Sequence, residues 1–115
     1  MGYAILLATA MVALVSTTAN ATIDICTKAT QTPDGFLALR EAPGTQFKMI
    51  AKIHPGDTIM TYAEQSNQTR MPVTGVYGKA KTIFDLDSTG GFKPAWVASR
   101  YTKFDRACTD RIYQD

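Results

Sequence analysis

Cys26 and Cys108 are the two cysteines of the chain, and three chemistries are open to them: a structural disulfide, redox exchange or metal ligation. A redox pair favours close spacing such as C-x-x-C, and a metal site needs further ligands. The sequence offers one histidine, His54, so a structural disulfide is the expectation. On the chain-entropy account, a loop this long stabilises by about 4–5 kcal/mol. His54 itself stands before Pro55-Gly56-Asp57, with no partner that would make it a base, and reads as a solvated turn residue. Asp85 and Asp87 put two carboxylates on one side of an extended segment. No Ca²⁺ loop pattern and no second acidic cluster follows them, so they read as a charged strand end. Asn67-Gln68-Thr69 has only the form of a glycosylation sequon. No Ser-His-Asp order, glycine-rich phosphate loop or zinc signature is present. The chain is therefore expected to be non-catalytic, without cofactor or metal.

Binding chemistry remains. Trp96 is the single tryptophan. Its first expected role is to cover a small core while its indole N–H reaches a carbonyl; its second is to floor a recognition groove. Tyr62, Tyr77, Tyr101 and Phe92 are the other aromatics suited to such a groove, with Arg40 beside them. Arg40, Arg70, Arg100 and Arg106 suit an anionic ligand, although scattered arginines are ordinarily solvated or paired with carboxylates. The formal net charge is +2, and no basic stripe interleaved with aromatics occurs. Nucleic acid is not an expected partner.

These side chains must be carried by short strands. Phe36-Leu37-Ala38-Leu39-Arg40 alternates, with Leu37 and Leu39 on one face. Further strands are expected over 48–53, 58–62, 72–77 and 80–84, the last two as a hairpin around Gly78-Lys79, and again over 95–98. Turns fall at 32–35, 42–45 and 54–57, where Pro and Gly recur. Residues 22–32 read as a polar lead-in, 64–70 and 87–91 as loops, and the end of the chain as a tail holding Cys108. No segment beyond the N-terminus shows a helical period. Such a pattern indicates an all-β domain, a small barrel or sandwich of five to six short strands.

Residues 1–21 carry no charged side chain. An apolar run from Ala4 to Val15 has the length of a signal-peptide core and falls short of a membrane span. Ala19-Asn20-Ala21 supplies the small residues that signal cleavage requires. Removal would leave roughly 94 residues, residues 22–115, as one domain with no membrane span, a size at which a covalent staple matters.

The order of these motifs resembles bacterial SH3 (SH3b) domains. Leu37-Ala38-Leu39-Arg40 followed by Ala42-Pro43-Gly44-Thr45, then Ile50-Ala51-Lys52-Ile53 and Pro55-Gly56-Asp57, is similar to the opening half of that family. Ala95-Trp96-Val97-Ala98-Ser99-Arg100-Tyr101 is similar to its close. The likeness covers roughly residues 35–104 and departs from the family over 70–94, with Ala95 in place of the usual glycine. It implies an SH3-like barrel, exported to the periplasm or secreted, that recognises cell-wall peptide or an envelope protein. The expected surface combines Trp96 and Tyr101 with the segments 64–70 and 42–46. Two other roles suit a small exported β domain: an inhibitor or immunity-type protein that plugs an enzyme cleft with segment 64–70 or 85–91, and an accessory subunit of an envelope or secretion assembly.

Overall fold

The structure, a computed structural model, describes residues 23–90 and 93–114. The expected signal segment, 1–21, lies outside the described residues, as does Phe92. Among the described residues eight strands form one antiparallel sheet: β1 (Asp24–Ala29), β2 (Leu37–Arg40), β3 (Met49–Ile53), β4 (Thr58–Tyr62), β5 (Arg70–Gly78), β6 (Lys81–Asp85), β7 (Ala95–Ala98) and β8 (Thr102–Phe104). Their order is β3-β2-β7-β5-β4-β1-β8, with β6 also on β5. The sheet curls until β3 meets β6. A short helix, α1 (Arg106–Ile112), follows β8. No helix of the described residues is long and apolar enough to cross a membrane.

The alternation read in the sequence sets the core. Leu37 and Leu39 of β2 point inward, as do Ala95 and Val97 of β7. They meet Ile53, Ile59, Met71, Val73, Val76 and Phe84. β5 is buried almost without interruption because it has neighbours along both edges. Its first half, Arg70 to Val73, pairs β7 on one side. Its second half, Gly75 to Gly78, pairs β6. The change of partner falls at a bulge, where the β4 register steps from Met60↔Gly75 to Thr61↔Val73 and leaves Thr74 as the extra residue. Pro72 sits at the same break. Its carbonyl faces β4 and takes the Thr61 hydroxyl at 2.5 Å, so its missing N–H falls where the ladder is already interrupted.

The additional strands lie in segments whose polar residues conceal them. The lead-in 22–32 is in fact β1, paired with β4 and β8. Cys26 and Thr27 are buried there, and the Thr27 hydroxyl donates to the Ile59 carbonyl at 3.0 Å. The C-terminal tail is not irregular either. Asp105 caps α1 by accepting the Cys108 N–H at 3.1 Å. Seven residues make two turns, too short for a period to register in the sequence. α1 covers the edge of β1 that β8 leaves open. Cys26 N–H donates to the Thr109 hydroxyl at 2.9 Å, and Asp105 N–H donates to the Cys26 carbonyl at 2.9 Å. The Cys26–Cys108 disulfide bonds helix to strand at a Cα separation of 5.7 Å.

Candidate functional site

Because Ala95 and Val97 face the core, the pleat of β7 turns Trp96 and Ala98 to the outer face. Trp96 is half-buried there, not a cover for the core. It lines a cleft of about 690 Å³ that runs along β7 and the 3-10 turn Ser99–Tyr101. Tyr101 joins it, with one side packed against the core. Arg40 of β2 is the register partner of Trp96, and Arg70 of β5 is the partner of Ala98. The two arginines therefore flank β7 on opposite sides. The segment 42–45 and the segment 66–70 contribute the walls, through Ala42, Gly44 and Thr45 and through Ser66 and Thr69. Phe36 and Phe104 extend the apolar lining.

Local hydrogen bonds hold those walls. Arg40 Nη1 donates to the Phe47 carbonyl at 2.8 Å, which ties the turn after β2 to its own strand. Gly44 adopts φ 141° within that turn, a conformation that disfavours any side chain. Ser99 Oγ donates to the carbonyls of Gln68 and Thr69, and Ser99 N–H donates to the Thr69 carbonyl at 3.1 Å. Thr102 Oγ1 donates to the Ser99 carbonyl at 2.7 Å and closes the turn. These hydroxyls fix the frame of the cleft. The chain's one histidine, His54, is not among the lining residues.

Of the six residues that the sequence nominated for a groove, Trp96, Tyr101 and Arg40 converge, and Phe92 lies outside the described residues. Tyr62 and Tyr77 do not join them. Tyr62 ends β4 beside Asp24 of β1. Burial, with Glu64 nearby, raises the Asp24 carboxyl above the ordinary range. Tyr77 lies past the bulge at Thr74, on the half of β5 that β6 has taken over. It lines a separate hollow of about 440 Å³ with His54, Asp57 and Lys81. Burial, then Asp85 and Asp87, push its phenol above the ordinary range. Its ring lies over Gly75, so a Cβ at that position would collide with it.

The sequence offers Arg70 and Arg100 to an anionic ligand, with ordinary solvated arginines as the expected case. Both line the cleft. Among the described residues the one ion pair is Lys28–Asp105, at 3.5 Å, so neither arginine nor Arg40 is matched by a carboxylate. The Arg100 guanidinium lies over the Tyr101 ring, 4.9 Å from its centroid. Arg106 lies on α1, outside the cleft. Asp85 closes β6 and accepts the Asp87 N–H at 3.0 Å, a cap for the 3-10 turn Leu86–Thr89. Among the described residues no three potential metal ligands gather. Comparison with known protein families, with curated proteins and with solved structures finds no match.

Proposed function

We propose that the protein is an exported, non-catalytic binding module of SH3b type that holds an extended peptide of the cell wall in the cleft along β7. The observation that carries this reading is the union, in one open cleft, of an outward tryptophan, a tyrosine and arginines from three separate elements. Apolar rings with a few oriented donors are what a peptide site needs. The strand order from β2 to β4 with its Pro-Gly-Asp turn, and the aromatic 3-10 turn after β7, support the SH3b assignment. The internal disulfide supports an oxidising compartment, the periplasm or the exterior.

The test is retention of the disulfide-bonded protein on purified peptidoglycan. Trp96→Ala should abolish retention while leaving near-native circular dichroism and a cooperative unfolding transition. Retention that survives Trp96→Ala, or no retention by the parent protein, removes the reading.

A further inference from the structure

Resting on the peptide reading of the cleft, we propose that the cleft selects its ligand by carboxylates, and that the ligand presents at least two of them along an extended backbone. Three guanidinium groups line it, those of Arg40, Arg70 and Arg100, against the single carboxylate of Asp34. None of the three is ion-paired among the described residues. Like charges gathered in one concavity repel each other and focus a positive potential, which an anionic occupant relieves.

Their placement runs diagonally across β7. Arg40 stands opposite Trp96 and Arg70 opposite Ala98, and Arg100 follows two residues later in the turn. Positions two apart are separated by about 6.6 Å along the strand direction, and β2 and β5, on either side of β7, stand about 10 Å apart across it. A side-chain carboxylate and a terminal carboxylate of the ligand, spread across β7, would therefore each meet a guanidinium.

Two of the arginines are also oriented in advance. Arg40 is anchored by one N–H on the Phe47 carbonyl, and a planar fork with five donors retains others for a carboxylate. Arg100 lies over the Tyr101 ring, a contact with the ring face that consumes none of its N–H donors. Trp96, Phe36 and Tyr101 supply apolar surface beside these donors. That surface suits the hydrocarbon of a peptide and gives nothing to an isolated inorganic anion.

The experiment is a calorimetric titration of the oxidised protein with the tetrapeptide Ala-Glu-Lys-Ala, its side-chain and terminal carboxylates free, and with its diamide. The free acid should bind at least ten-fold more tightly than the diamide, with an advantage that shrinks as salt is raised. Arg70→Gln and Arg100→Gln should each weaken the free acid several-fold more than the diamide, so that most of that advantage is lost. Equal affinity for acid and diamide, both lost in Trp96→Ala, overturns the carboxylate reading and leaves the peptide cleft standing. Displacement of the acid by equimolar inorganic phosphate overturns it in favour of a general anion site. Binding of neither peptide ends both readings.

Discussion

At Thr61 a fully buried hydroxyl donates to the Pro72 carbonyl, at the point where the β4–β5 ladder is broken by the bulge. Thr61→Val keeps the shape and removes the donor, leaving a carbonyl unpaired in the interior. The expected loss is about 1–3 kcal/mol, read as a lower urea midpoint with an unchanged slope. Thr61→Ser keeps the hydrogen bond and should lose only about 1 kcal/mol with its methyl. Ala80 poses the opposite case. It takes φ 58° in the turn between β5 and β6, a left-handed conformation that costs an alanine about 1 kcal/mol or more. Ala80→Gly should therefore raise the unfolding midpoint despite the extra freedom glycine brings to the unfolded chain. Trp96 and Val97 give the sharpest contrast between neighbours. Val97 is 2% exposed, and Val97→Ala should destabilise by about 1.5–3 kcal/mol. Trp96 faces the cleft, and its loss should register in binding far more than in folding.

β2 is read directly from alternation because it has one face in the core and one outside, and burial follows the same period of two in β4 and β7. β1 escaped because its buried residues include a cysteine and a threonine, whose burial depends on partners 82 and 32 positions away. α1 escaped because its anchorage is a cap and a disulfide, not an apolar stripe. The cleft was legible in part for the same reason. Trp96 and Tyr101 lie close in sequence, whereas Arg70 reaches them only through the register of β5 on β7. The cap of α1 also sets a pH response. The Cys108 N–H, helped by Lys28, holds the Asp105 carboxyl below the ordinary range. A depressed carboxyl stabilises the fold above its unfolded pKa, near 4, and that contribution fades as pH falls through the folded value. Asp105→Asn retains an acceptor and loses the charge, so its thermal midpoint should fall less steeply on acidification. Asp24 acts with the opposite sign, since its carboxyl is raised and acid favours the folded form there. Asp24→Asn should make the same acid limb steeper.

One covalent bond joins the beginning of the sheet to its last element, 82 residues apart in sequence. A domain of this size has a net stability of about 5–15 kcal/mol, so a staple that contributes about 4 kcal/mol is a large fraction of the whole. Its removal acts on the unfolded chain and also on the docking of α1, which otherwise depends on Thr109, the Asp105 N–H and the Tyr113 hydroxyl on the Asp24 carbonyl at 2.6 Å. Cys26→Ser with Cys108→Ser should lower stability by about 2–5 kcal/mol, and amide exchange should quicken first in α1 and the outer edge of β1. A fold with such a disulfide suits a compartment where thiols are not kept reduced. If the protein is exported as proposed, the species in the cell envelope is a chain of residues 22–115, lighter by two hydrogens than its reduced form, that takes up a thiol reagent only after reduction. Intact-mass analysis decides this. Full-length protein with two free thiols would overturn export, and with it the oxidising setting on which the wall-peptide reading depends.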